Sequence, residues 1–287
     1  MISGYLAHLL VLIAIWALLA TSLNLALGHT GLLNLGHVAF FAAGAYTSAL
    51  LATKLGVSQY AGLLAGGVVA ALLAALLIYA VKGLKGDYLA LATLGFSFVT
   101  TSVLLNWDAL TRGARGISAI PRPLGLETTT AYLAFTLAVV TISIWALIRV
   151  ANGPLGRLFE ALRDNEVGVI ALGKNAFLLK TKSLMISAFF AGVAGSLFAH
   201  YITFIEPTSF AIHELILVLT IVIAGGIASM KGSIAATIAL LLIPEALRFL
   251  AIPGGLVGPI RQIIYATILL AILLYKPRGL FGEVDLQ

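Results

Sequence analysis

The chain has 287 residues, of which 61% are hydrophobic and 10% charged, with a mean hydropathy of +1.10. Soluble domains carry about a quarter charged residues, so 17 Lys and Arg with 11 Asp and Glu cannot cover a water-soluble globule of this size. A soluble enzyme, a nucleic-acid-binding domain and a disordered chain are excluded; the absence of cysteine excludes a disulfide framework and thiolate metal sites.

No Asp, Glu, Lys or Arg precedes Lys54. A crossing helix needs about 20 apolar residues, and residues 5–27 supply the first. It is longer than a signal-peptide core and has no basic residue ahead of it, so it reads as an uncleaved span. Further spans are expected at 38–53, 61–81, 88–105, 131–150, 183–204, 215–230, 233–250 and 260–275. Those around Val38 and Leu215 are short enough to be half-buried or broken helices. The expected fold is an all-α polytopic membrane protein with about 8–10 transmembrane helices, some of them short or broken, forming one transmembrane domain over 1–287.

Lys and Arg placement sets the expected topology, because cytoplasmic loops carry the excess. Arg149, Arg157, Arg163, Lys174, Lys180 and Lys182 crowd one segment, and alternation puts Lys82, Lys85, Lys231, Lys276 and Arg278 on the same side. Lys54, Arg112, Arg115, Arg122, Arg248 and Arg261 fall on the other. The bias predicts a cytoplasmic C-terminus and, with about nine passes, an external N-terminus.

Three segments interrupt the apolar background. In Gly28-His-Thr-Gly-Leu-Leu-Asn-Leu-Gly-His37, glycines and the polar His29, Thr30, Asn34 and His37 break a stretch without charge. Non-helical backbone at membrane depth is tolerated where protein buries it or where it lines a wet cavity, and transporters build binding sites at such breaks. Gly28, His29, Asn34, Gly36 and His37 are therefore candidate pathway residues; a tight turn near the cytoplasmic face, its histidines satisfied locally, is the other reading. A metal site at His29 and His37 is disfavoured, since their spacing matches no ligand motif and no carboxylate lies nearby in sequence.

The second segment, 106–130, is an external loop centred on Thr111-Arg-Gly-Ala-Arg-Gly-Ile-Ser-Ala-Ile-Pro-Arg-Pro123. Arg112, Arg115 and Arg122 suit an acidic soluble partner or, equally, lipid headgroups. The third, 151–182, is a cytoplasmic loop. Asn152-Gly-Pro154 breaks the preceding span, and 156–172 then reads as one amphipathic helix ended by Gly173. Leu158, Leu162, Val169 and Leu172 fall near one face, with Glu160, Arg163 and Asp164 on the other. Such a helix lies at the membrane interface or seats its apolar ridge in a partner's groove.

No G-x-x-x-x-G-K-[ST] is present, so nucleotide hydrolysis through a P-loop is not expected of this chain. His213-Glu214 lacks the second histidine of a metalloprotease motif. Ser196 and His200 stand at helical spacing, which alone is weak support for a nucleophile and base. Glu206, Glu214 and Glu245 fall near the external ends of spans, leaving mid-membrane positions without the carboxylates that ion coupling uses. That disfavours the competing class, a secondary transporter or channel acting alone.

The string from Gly28 through His-Val-Ala-Phe-Phe-Ala-Ala-Gly-Ala-Tyr46 resembles the N-terminal signature of permease subunits of branched-chain amino-acid ABC importers. Gly113-Ala-Arg-Gly-Ile-Ser-Ala-Ile-Pro121 resembles the loop of that family's M-type permease, and Arg163-Asp-Asn-Glu-Val-Gly-Val-Ile-Ala-Leu-Gly173 its coupling loop. Ile223-Ala-Gly-Gly-Ile-Ala-Ser-Met-Lys-Gly232 and Pro244-Glu-Ala-Leu-Arg248 are similar to its later motifs. Two departures stand out. Arg115 occupies a position where many members carry a small polar or acidic residue, and Ala228 replaces the last glycine of the usual Gly-Gly-x-Gly-Ser.

The resemblance implies a multi-pass permease of the cell inner membrane that is not itself an enzyme. It would work by alternating access with a second permease, two cytoplasmic ATPase subunits and an external binding protein. ATP and magnesium would sit on the ATPase chains, with no cofactor in this one. Leu158, Leu162, Arg163, Asn165, Glu166, Val169 and Gly173 would then form the coupling surface for the ATPase, and Arg112, Arg115 and Arg122 would dock the binding protein. Leucine, isoleucine and valine are the family's usual cargo; relatives carry other neutral or acidic amino acids, urea or short amides.

Overall fold

The computed structural model describes residues 2–123, 125–248, 254–275 and 279–282. Among these the architecture is all-α. α1 (Ile2–Asn24) runs on through a π-helical turn (Leu25–His29) and is followed by α2 (His37–Leu55), α3 (Gln59–Ala80) and α4 (Gly86–Asn106). The short α5 (Asp108–Thr111) leads into the loop before α6 (Thr129–Ala151). α7 (Pro154–Asp164) and α8 (Glu166–Ala171) lie between α6 and α9 (Ala176–Ile202); α10 (Ile212–Gly225), α11 (Met230–Arg248) and α12 (Gly254–Tyr275) complete the bundle. Seven stretches are long and apolar enough to cross a bilayer, and two shorter apolar helices, Met230–Ile243 and Gly258–Ile272, stand at the remaining expected spans. The protein is a multi-pass membrane protein, and every span expected from the sequence coincides with a helix.

Two boundaries differ from expectation. The span placed at 215–230 stops at Gly225, because Gly226 takes φ +112° and no helix continues through that conformation. α9 begins at Ala176 and not near Ser183. Counting charges ends a span at Lys182, yet Asn175 caps the helix well before it by accepting from the Leu178 amide at 3.0 Å. Lys276 and Arg278, used in the topology argument, and Leu250 lie outside the described residues.

Without a hydrophobic force between helices in lipid, small residues decide how closely backbones approach. α2, α3 and α9 meet along such a seam. A Cβ on Gly192 would stand 2.5 Å from the Gly66 carbonyl oxygen and 2.7 Å from the Ala70 methyl; one on Gly44 would collide with the Gly192 backbone, and one on Gly195 with the Phe41 carbonyl. Ser196 belongs to this seam: its hydroxyl donates to the carbonyls of Gly44 (3.1 Å) and Gly192 (3.0 Å). His200 bonds instead to the Ser48 hydroxyl and the Pro121 carbonyl, both at 2.7 Å, so the two residues do not form a catalytic pair.

α1 runs beside the seam against α6, α9, α10 and α11, with Val11, Ile15, Leu18, Leu19 and Leu23 fully buried. Its first turns meet the far end of α9, where His8 Nδ1 lies 2.7 Å from the Tyr201 hydroxyl. The loop before α6 closes over the same end through an antiparallel bridge between Ile117 and Ile205. This is the loop end. Residues 28–37, α7 and α8 gather at the opposite one, the α7 end.

Candidate functional site

At the α7 end the glycine-broken segment is packed against α7. Arg163 donates from Nη1 to the Gly28 carbonyl at 2.8 Å, and His29 Nδ1 lies 3.1 Å from Glu160 Oε1. The structure thus brings the first and third unusual segments together, and the carboxylate missing from the sequence around His29 comes from α7. No three metal-ligating side chains converge among the described residues.

His37 and Asn34 form an internal chain. The Ser22 hydroxyl donates to the Leu19 carbonyl at 2.7 Å and so accepts from His37 Nε2 at 2.9 Å. That leaves His37 Nδ1 to accept from the Asn34 amide at 3.4 Å, while Asn34 Oδ1 takes the Gly36 N–H at 3.0 Å. Gly36 lies against the Thr93 carbonyl of α4, where a Cβ would stand 2.5 Å away. All of these groups are buried, and they are bonded as buried polar groups in a bilayer protein must be.

A second break faces the first. Asn24, fully buried at the end of α1, donates from Nδ2 to the Gly226 carbonyl (3.2 Å), the Ser229 carbonyl (3.0 Å) and the Ser233 hydroxyl (2.7 Å), and accepts from the Ala228 N–H at 2.9 Å. One amide side chain therefore organises the whole turn between α10 and α11. Gly28 must be glycine for the same reason, since a Cβ there would overlap Asn24 and the Ala228 backbone. Ala228 holds φ +63°, the left-handed region that glycine enters freely and alanine does not. The departure from the Gly-Gly-x-Gly-Ser pattern thus falls on the residue where glycine's freedom would be used. On the other side of the turn, Leu280 and Phe281 donate their amides to the Ala224 (2.8 Å) and Gly225 (3.0 Å) carbonyls. Asn24 was not singled out from sequence; a lone amide near the end of an apolar span was the available signal.

Between the two breaks lies a cavity of about 320 Å³ lined by His29, Asn152, Glu160, Ser229 and Lys231 with Ile148, Ala151, Ala228 and Met230. A larger one, about 600 Å³, separates the α3–α4 turn from α8 and the start of α9 and carries Lys82, Lys85, Lys174 and Lys180 around Glu166. Burial pushes the Glu166 carboxyl up, but bonds from Lys180 (2.8 Å) and Lys85 (3.1 Å), with their charges, outweigh it and hold the group below the ordinary carboxylate value.

The single helix expected over 156–172 is two. Asn165 leaves helical conformation at φ −156°, ψ 91°, and its Oδ1 accepts from the Gly168 N–H at 2.8 Å, capping α8. Gly173, at φ +73°, ends α8 as expected. The break rotates α8 relative to α7 and splits the expected ridge. Leu162 and Val169 turn into the chain's own core, each 3% exposed; Leu158 is half-buried; Leu172 is 79% exposed. The apolar side chains α8 turns outward are Val167 (73%), Ile170 (54%) and Leu172. Arg163, Asn165 and Glu166 bond within the chain, as described.

At the loop end, Arg112 and Arg115 are exposed and share a cavity of about 380 Å³ with Asp108. Arg122 is turned inward, donating to the Glu127 (2.9 Å) and Tyr201 (3.3 Å) carbonyls with its guanidinium over the Tyr132 and Tyr201 rings.

A multi-pass helical bundle whose membrane helices break into polar, charge-lined junctions is the build of a transport protein. Residues 5–275 match the family described as the permease component of branched-chain amino acid transport systems. The chain is 35% identical to the high-affinity branched-chain amino acid transport system permease protein LivM of Escherichia coli, over 98% of its own length and 71% of that protein. It is 34% identical to the LivM of Salmonella typhimurium, over 93% and 67%, and 27% identical to a probable branched-chain amino acid transport permease protein LivM of Methanocaldococcus jannaschii, over 70% and 61%. The chain belongs to the branched-chain amino acid transport permease family.

Proposed function

We propose that this chain is one of two permeases of an ATP-driven importer for branched-chain or related neutral amino acids in the cell inner membrane. A second, homologous permease completes the pore. Two ATPase subunits dock at the α7 end, the cytoplasmic side by the Lys and Arg bias, and carry the ATP and magnesium. An external binding protein delivers substrate at the loop end, guided by the exposed Arg112 and Arg115. Arg122, already engaged by carbonyls and rings, orders the loop. Closure of the ATPase dimer pushes on α7 and α8, and the pore alternates between outward and inward access.

The observation that carries this reading is the outward apolar surface of α8. Val167, Ile170 and Leu172 sit on a polar face of the bundle where a chain without a partner gains nothing from exposing them. Leu162 and Val169 support α7 and α8 from beneath. The test is the double substitution Ile170→Asp with Leu172→Asp. Co-purification of the ATPase and leucine uptake are both expected to fall at least about tenfold, the consequence of losing about 1.4 kcal/mol or more at the contact, while the folded permease remains in the membrane. Retention of both at normal expression overturns the docking assignment.

A further inference from the structure

The cavity of about 600 Å³ between the α3–α4 turn, α8 and the start of α9 gathers Lys82, Lys85, Lys174 and Lys180. These are half of the chain's eight lysines. The one carboxylate that lines the cavity with them, Glu166, is already taken by Lys180 (2.8 Å) and Lys85 (3.1 Å). Lys82 and Lys174 are exposed and pair with no carboxylate among the described residues. The Lys82 ammonium lies 5.2 Å from the centre of the Phe177 ring. Four ammoniums against one carboxylate leave the cavity at +3. Like charges crowded in this way repel, and an anion brought to the cavity relieves the repulsion.

The same cavity is also apolar: Ile78, Val81, Leu84 and Phe177 line it beside the lysines. Its place along the membrane helices decides between a soluble anion and a lipid. α3 ends at Ala80, α4 begins at Gly86 and α9 at Ala176, so the cavity lies where three spans leave the bilayer. Tyr79 (70% exposed) and Tyr88 (74% exposed) stand on either side of the α3–α4 turn. Near the same end of α6, Trp145 is exposed with the Arg149 guanidinium 5.7 Å from its ring centre. Exposed Tyr and Trp gather at the membrane–water boundary, which sets these lysines at the depth of phospholipid headgroups. Lysine carries an ammonium on an apolar stem and suits an amphipathic anion. Basic pockets between membrane helices take anionic lipid headgroups.

We propose that this cavity is a binding site for an anionic phospholipid. Lys82 and Lys174 take the headgroup phosphate, Lys85 and Lys180 stay with Glu166, and the apolar lining meets the part of the acyl chains nearest the headgroup. Of the proposed ATPase surface, Ile170 lines the cavity, whereas Val167 and Leu172 do not. The proposal needs only the membrane spans, so it stands or falls separately from the importer reading.

The test uses the whole transporter in vesicles of phosphatidylcholine alone or of equal parts phosphatidylcholine and phosphatidylglycerol. Acetic anhydride, which is uncharged and reaches both faces, acetylates the lysines, and peptide mass spectrometry reads each rate. Lys231, exposed and outside this cavity, is the internal standard. With phosphatidylglycerol present, Lys82 and Lys174 are expected to slow about fivefold or more relative to Lys231, the effect of about 1 kcal/mol for one lysine at an anionic surface. Inorganic phosphate added to phosphatidylcholine vesicles is expected to leave both rates unchanged. Lys82→Gln removes half of the phosphate site, so Lys174 is expected to return towards its rate in phosphatidylcholine. Equal slowing at Lys231 would show a general surface-charge effect and overturn the site. So would slow labelling of Lys82 and Lys174 in both lipid mixtures, which would mean that a protein covers the cavity. No slowing at all, protection by inorganic phosphate, or full protection of Lys174 in Lys82→Gln overturns it as well.

Discussion

The seam joining α2, α3 and α9 and the junction at the α7 end use opposite means to hold helices together. In the seam, Gly44, Gly66 and Gly192 let backbones touch, and no side chain fits between them. At the junction, Asn24, Glu160 and Arg163 bridge helix breaks across polar cavities. Dispersion contacts at such range fall away with small displacements, so the seam moves as one body or not at all. Hydrogen bonds to turns can exchange partners, so the junction is where this chain can change shape. The importer proposed above would need both: a stiff lever and a place where it bends.

The largest expected effect breaks the seam. Gly192→Leu forces a branched side chain against the Gly66 carbonyl and the Ala70 methyl, where the α3 backbone cannot give way. Overpacking of that kind costs about 3 kcal/mol or more, a large share of total stability. Folded, monodisperse protein after detergent extraction should be nearly lost. Gly95→Ala in α4 is the control, since its added methyl meets nothing within 4 Å and a helical alanine gains up to about 1 kcal/mol over glycine. Equal yields from the two variants would show that the seam is not closely packed.

The junction should fail differently. Asn24→Leu strands the Ala228 amide and takes one partner each from the Gly226 and Ser229 carbonyls and the Ser233 hydroxyl, which keep their bonds to the Ser229 amide, the Ser233 amide and the Ser229 carbonyl respectively. Unpartnered buried groups cost about 1–3 kcal/mol each in the worst case, but the turn can relax towards the neighbouring cavity, so about 2–3 kcal/mol in total is expected. The bundle should survive, with hydrogen exchange accelerating at 226–229 and at the start of α11 while the seam residues of α9 stay protected. Uniform acceleration across the bundle would mean that the two regions are not mechanically distinct.

Much of the fold was legible because charge is scarce. With no Asp, Glu, Lys or Arg before Lys54 and long gaps between later ones, apolar runs mark the helices nearly to their ends. What escaped were local backbone events. Asn165 is as compatible with an amphipathic helix as with a cap, and only its bond to Gly168 decides; the assignment of Leu162 and Val169 to an outward ridge fell with that helix. The broken segment 28–37 was visible from its glycines and polar residues, yet its partners were not. Glu160, Arg163, Ser229 and Lys231 come from distant parts of the chain, and no periodicity reports that α7 and the α10–α11 turn converge on His29. Asn24 was hidden for the same reason, since its four partners lie about two hundred residues away in sequence.

The smallest effect sharpens the comparison at one residue. Ala228 sits at φ +63° in the turn that Asn24 holds, a conformation that costs a residue with a Cβ about 1–2 kcal/mol. Ala228→Gly removes that cost, while the unfolded chain regains about 0.4–1 kcal/mol of conformational freedom. The difference leaves the variant more stable by roughly 0–1.6 kcal/mol, a rise of up to about 3 °C in Tm for a chain of this size. The sign carries the information. In the seam every added methyl should destabilise; at this turn, removing one should stabilise, because the backbone there is held by Asn24 against its own preference. A clear drop in Tm would show that the Ala228 methyl is packed in place and that the turn, like the seam, depends on contact more than on hydrogen bonds.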